Sequence, residues 1–199
     1  MANITIIGGS DAPPLTRKRL VLPFLADFYE RFAEPFAWVA LRVAVGAILT
    51  YEGWQKMANP MGMAGFVESL HFYPGWFWSP LLALVNLVGG LCILFGLFTR
   101  PMALANTIML GVTLWFHYAN PYGTAFLTEA GVELLKSADA AQYFTEAGLR
   151  RLADGGTAFL TQVQGKAMFN SLFWTGAAGL FAAHGGGAWS VDSRLRKEF

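Results

Sequence analysis

The sequence has little charge. Of 199 residues only 14% are Asp, Glu, Lys or Arg, against about 25% in an ordinary soluble domain. Sulfur chemistry is equally sparse. A single cysteine, Cys92, excludes a disulfide scaffold, a cysteine metal cluster and a dithiol relay run by this chain alone. No metal site is expected. Glycine-rich phosphate loops are missing too, because the run Gly185-Gly186-Gly187 follows a helical segment rather than a strand. The opening residues lack a secretory apolar region: basic residues precede apolar ones, but Pro13-Pro14 and a polar start interrupt any such run. A retained, mostly flexible arm is expected over 1–20. No nucleic-acid partner is expected.

What the chain does have is apolar surface. It is 55% hydrophobic and 15% aromatic, with seven Trp, and its mean hydropathy is +0.42. Four apolar stretches stand out, at roughly 36–57, 76–98, 101–118 and 167–184. A bilayer crossing takes about 20 mostly apolar residues, with a range of about 17–25. The Phe98-Thr99-Arg100-Pro101 link leaves room only for an antiparallel turn between the second and third stretches. The expected fold is therefore all-α: a four-transmembrane-helix bundle over 36–184. Around it lie an N-terminal arm (1–35) with an interfacial helix, short helices in an outer 119–165 loop, and a C-terminal tail (185–199).

In the arm, Leu25, Phe28 and Phe32 recur at helical spacing with charges between them, and Pro35 is expected to separate that helix from the first span. In the outer loop, TEAGVELLKS and DAAQYFTEAGLRRLAD read as two short amphipathic helices. An even number of spans puts both termini on one side. That side carries Arg17, Lys18, Arg19, Arg31, Arg100 and the cluster around Arg194, Arg196 and Lys197. The positive-inside rule makes it cytoplasmic, so the expected location is a bacterial inner (cytoplasmic) membrane.

Several polar residues interrupt the apolar runs. Glu52 stands four residues before Lys56 near the end of the first stretch. An i, i+4 pair at a helix end accounts for it; so does an ionisable group facing an interior cavity, where it could carry a proton. His117 closes the third stretch, either as an interfacial imidazole or as Glu52's partner at similar depth. Asn86 lies nearer the midplane and suits an interhelical hydrogen bond; Asn170 lies a few residues into the fourth stretch. The four could meet in an outer-half cavity. Trp54, Trp76, Trp78 and Trp115 fit an outer aromatic belt, and alternatively the wall of a slot for a quinone ring. Arg42 is expected to snorkel. Bis-histidine haem is disfavoured, since His117 and His184 would lie about 25 Å apart along their spans.

NLVGGLCILFGLFTRPMAL (86–104), the EGWQKM ending of the first stretch, His117, and the closing GGGAWSVDSR with Ser190 and Asp192 together resemble the DoxX family of small four-helix membrane proteins. Asn86 stands where that family usually carries glutamate, and the 119–165 insert is longer than its usual outer loop. The family's members include a membrane subunit of thiosulfate:quinone oxidoreductase, partners in redox-defence complexes and a receptor chaperone. The resemblance implies a subunit of a larger membrane oxidoreductase, bordering a quinone site. Glu52 and His117 would then handle protons, and Trp54, Asn86, Trp115 and Asn170 would line a quinone or lipid pocket. No intrinsic cofactor is expected. The partners are membrane lipids and proteins docked on the transmembrane faces and the 119–165 loop. A non-catalytic accessory or assembly protein is the alternative. A small-molecule permease is weaker, because four helices without a repeat offer no alternating-access machinery.

Overall fold

A computed structural model describes residues 22–122 and 127–195. The flexible arm expected over 1–20 lies outside the described residues, as do Arg17, Lys18, Arg19, Arg196 and Lys197. No strand occurs among those described. Helical turns at Pro23–Leu25, α1 (Ala26–Phe28) and a π-type turn at Tyr29–Ala33 lead into α2 (Glu34–Ala58). Then follow α3 (Ala64–Ser69), α4 (Gly75–Phe95), α5 (Thr99–Ala119), α6 (Glu129–Lys136) and α7 (Glu146–Leu152). The last two are α8 (Thr157–His184) and α9 (Val191–Arg194).

The four apolar stretches are α2, α4, α5 and α8. Pro35 does not divide the arm from the first of them. It sits at the start of α2, and the wider turn at Tyr29–Ala33 precedes it. A π-type turn absorbs the missing proline N–H by shifting the local hydrogen-bond pattern, so Ala26–Ala58 runs as one 33-residue helix. At 1.5 Å per residue this is about 50 Å, longer than a hydrocarbon core of about 30 Å. Phe28, Phe32 and Phe36 form an exposed ladder along its leading end, their rings 5.7 and 5.4 Å apart. α8 begins at Thr157 rather than near 167, because its first turns are polar. The second expected loop helix is split into a 3₁₀ turn at Ala138–Gln142 and α7. α6 and α7 open on the same four residues, Thr-Glu-Ala-Gly, and in each the threonine hydroxyl accepts the glycine N–H three residues on.

α2 packs along α4, and α5 along α8; the two pairs meet more sparsely, chiefly through α4 and α5. Glycine permits the first pairing. A Cβ on Gly53 would land on the backbone of Leu87, and one on Gly46 or Gly90 would strike the facing helix in the same way. Val45, Leu49, Ile93, Ala103, Ala177 and Phe181 make the small apolar core.

The distribution of polarity is inverted relative to a soluble protein. Arg42, Asn86, Asn106 and Asp192 are buried, while Phe169 is 75% exposed, Ile108 62% and Phe173 57%. Large contiguous apolar exteriors mark membrane contact. Two helical stretches, Ala26–Ala58 and Gly75–Phe95, are long and apolar enough to cross a bilayer, with mean hydropathies of 1.6 and 2.0. α5 and α8 are as long but more polar, through residues such as Asn106, Thr113, Gln164 and Asn170.

Candidate functional site

Between the two helix pairs, towards the end where α5 terminates, lies a cleft of about 720 Å³. Its walls are largely apolar, with Leu82 and Val85 from α4 and Met109 and Val112 from α5. Its polar groups are Glu52 and Lys56 (α2), Thr113 and His117 (α5), and Asn170 and Ser171 (α8). Glu52, Lys56 and His117 lie in the last turns of their helices, so the polar rim is at the His117 end.

The connection from α2 to α4 roofs the cleft. Phe66 lines it and meets Phe116 edge to face at 4.7 Å. Ser79 holds this roof down: its hydroxyl donates to the Pro60 carbonyl at 2.6 Å and accepts the Met63 N–H at 3.2 Å. The Gly75 N–H donates to a Glu68 carboxylate oxygen at 2.8 Å.

Glu52 and His117 thus line one cleft from separate helices. Glu52 is also half exposed, at 54% for the side chain, and 3.8 Å from Lys56, so the helix-end pair and the cleft position hold together. Asn170 lines the cleft, and its Oδ1 accepts the Trp174 Nε1–H at 2.8 Å. His117 is tied into a small network. The Tyr122 hydroxyl is 2.9 Å from Nδ1. Gln164 of α8 donates to the His117 carbonyl at 2.8 Å and accepts the Tyr122 N–H at 3.0 Å.

Three of the other expected residues lie elsewhere. Trp54 and Trp115 are 68% and 58% exposed and do not line the cleft. With 3.6 residues per turn, Glu52 and Trp54 fall on opposite flanks of Gly53, which faces α4; His117 and Trp115 are separated in the same way. Asn86 is buried beside Val85 but outside the cleft. Its Oδ1 has no hydrogen-bond partner among the described residues, and neither does that of Asn106, whose Nδ2 donates to the Val85 and Met102 carbonyls.

The opposite end of the bundle, where Gly96 ends α4, is closed by the C-terminal segment. Asp192 accepts from the Phe98 N–H at 2.9 Å, the Thr99 N–H at 3.0 Å and the Thr99 hydroxyl at 2.8 Å. It thereby satisfies the open N–H groups at the start of α5. The Asp192 N–H donates in turn to the Gly96 carbonyl at 2.9 Å. Gly96 has φ +70°, and a Cβ there would meet Ser190 at 2.5 Å, so both backbone and space call for glycine. Arg42 does not snorkel. Buried to 4% exposure, it donates through Nη1 to the Gly186 carbonyl at 2.5 Å and through Nη2 to that of Trp189 at 2.8 Å. Burial with carbonyl partners at hand is favoured over stretching the side chain to water. Trp38 adds a bond from Nε1 to the Gly185 carbonyl at 3.3 Å. The expected C-terminal tail is, as far as residue 195, a packed plug.

Long helices with apolar exteriors, buried polar clasps and a cleft between helix pairs define a helical membrane protein. Residues 37–119, from within α2 to the end of α5, match the DoxX family model, which supports membership of that family. No curated protein and no solved structure matches the chain.

Proposed function

We propose that this protein is a four-span subunit of a membrane oxidoreductase assembly whose cleft takes the ring of a quinone. The observation that carries the reading is that Glu52, His117 and Asn170, from three helices, share one apolar-walled cleft. Reducing a quinone to its quinol consumes two electrons and two protons. Glu52 and His117 relay protons in this reading, each taking one up from the outer water as it passes one on, as ionisable groups within reach of the cleft, and a partner protein supplies the electrons. The apolar faces of α5 and α8 support the third and fourth spans, since Leu104, Phe169 and Phe173 would otherwise stand in water. Arg31, Arg100 and Arg194 lie towards the Gly96 end, which favours that end as cytoplasmic and the inner membrane of a bacterium as the location. Trp54 and Trp115 then belong to the outer interfacial belt.

The test is quinone-linked turnover in membranes carrying Glu52→Gln or His117→Ala. Turnover lost with assembly intact is the expected result; normal turnover in both variants sinks the catalytic reading.

A second reading, a non-catalytic accessory or assembly subunit, draws on the cap formed by α6, the 3₁₀ turn and α7. There Tyr143 is 68% exposed, with Leu134 and Phe144 nearby at 39% and 37%. Exposed apolar side chains on a polar cap suit a partner protein. Leu134→Lys with Tyr143→Lys should then abolish co-purification of the partner, and unchanged co-purification counts against this reading.

A further inference from the structure

Among the amphoteric groups on the cleft are an imidazole and a carboxamide, those of His117 and Asn170. Each can donate or accept, and the ligand that fits depends on which they do. In both, a neighbouring side chain decides: Tyr122, outside the cleft, and Trp174, on its wall.

Asn170 is settled by Trp174. An indole N–H only donates, so the amide atom 2.8 Å from Trp174 Nε1 is the oxygen. The acceptor end of Asn170 is thereby engaged, and its Nδ2 hydrogens are what remains for a ligand. His117 is settled by Tyr122. The phenol is the better donor of the two and the unprotonated ring nitrogen the better acceptor, so the hydroxyl 2.9 Å from Nδ1 donates to it. A neutral imidazole that accepts at Nδ1 carries its proton on Nε2. Gln164 makes this arrangement stiff, since one α8 side chain grips both the Tyr122 N–H and the His117 carbonyl.

We propose that the rim of the cleft is a donor pair, His117 Nε2–H and Asn170 Nδ2–H₂, which selects a ligand head bearing carbonyl oxygens. Tyr122 and Trp174 are the positioning residues that fix this polarity. The inference rests on the cleft being the quinone site proposed above, and it adds a direction. The oxidised ring, whose two oxygens only accept, binds more tightly than the quinol, whose hydroxyls bring donors to a rim already rich in donors. Glu52 and Lys56 are the ionisable groups of α2 on the same cleft. They stand 3.8 Å apart as an ion pair, so neither charge dominates the rim and a neutral carbonyl is the better match.

Two measurements on the full-length protein in lipid nanodiscs test this. The first is the ¹⁵N spectrum of histidine-labelled protein above pH 8, where an ordinary imidazole is neutral, with the His117 signals identified by their loss in His117→Ala. The expected spectrum has Nε2 protonated and Nδ1 unprotonated but hydrogen-bonded. Tyr122→Phe should remove that hydrogen-bonded signature. A protonated Nδ1 in the wild type overturns the assignment.

The second is anaerobic binding of a decyl-tailed benzoquinone, its quinol and decylbenzene. The quinone should bind about tenfold more tightly than either of the others, the scale of one or two hydrogen bonds. Trp174→Phe and Tyr122→Phe should both narrow the gap between quinone and quinol. Equal or tighter quinol binding by the wild type overturns the proposal, as does a preference that both variants keep in full. If none of the three ligands binds, the quinone reading itself falls, and the nitrogen spectrum still decides the donor assignment at His117.

Discussion

At the Gly96 end, Asp192 accepts three side-chain hydrogen bonds and Arg42 donates two, every one to a partner within the chain. At the His117 end, Glu52, His117 and Asn170 are held by single neighbours on one side and open to a cleft on the other. The same bundle thus buries polar groups in two ways. Where the groups satisfy one another, the helices are clasped and the space is filled: Gly96 touches Ser190, and Gly187 leaves no room for a Cβ beside Trp38. Where they keep unused hydrogen-bonding capacity, the helices stand apart. A polar cluster whose groups mainly bond one another serves stability, whereas one with spare capacity facing a cavity serves a ligand.

If this division is right, substitutions at the two ends should separate stability from binding. The largest effect is expected at the seam between α2 and α4. Gly53→Leu would force a side chain into the Leu87 backbone and should cost roughly 3 kcal/mol or more, read as loss of folded protein after detergent extraction. Asp192→Ala should come next, at about 2–4 kcal/mol, because three buried donors lose one charged acceptor. A lowered melting temperature with unchanged ligand affinity per folded molecule is the expected pattern. His117→Ala should reverse it, weakening ligand binding about tenfold while leaving the melting temperature nearly unmoved. Glu52→Gln should be the smallest in stability, within about 0.5 kcal/mol, since a half-exposed pair with Lys56 contributes little. A large stability loss from Glu52→Gln would erase the contrast between the ends.

Much of the helix plan is legible in the sequence. The four apolar stretches mark α2, α4, α5 and α8, and the Thr-Arg-Pro link marks the tight turn between α4 and α5. Helix rotation is harder to read. Glu52 and Trp54 look equally available to a pocket until Gly53 is recognised as the residue pressed against α4; the glycine is the signal that separates them. Hydropathy misplaces Arg42 for a different reason. It prices a guanidinium as a cost to be relieved at the membrane surface, whereas the carbonyls that satisfy it are 144 and 147 residues away in the chain. The start of α8 is hidden by its polar first turns, among them Gln164, whose polarity serves His117 and Tyr122. Pro35 misleads because a wider turn just before it accommodates the ring.

The Thr-Glu-Ala-Gly that opens both α6 and α7 is a capping signal, although the two loop helices are expected on helix-favouring residues alone. Tyr122 and Trp174 are harder to see as site residues, since each acts by fixing a neighbour, Tyr122 at His117 and Trp174 at Asn170.

The most direct measurement is equilibrium binding of a short-tailed quinone to the purified protein in lipid nanodiscs, comparing wild type with Val85→Trp, which fills part of the cleft. Saturable binding by the wild type that disappears in Val85→Trp, with the helical fold intact, is the predicted result. Binding of equal strength in both, or none in either, would contradict a ligand site between the helix pairs.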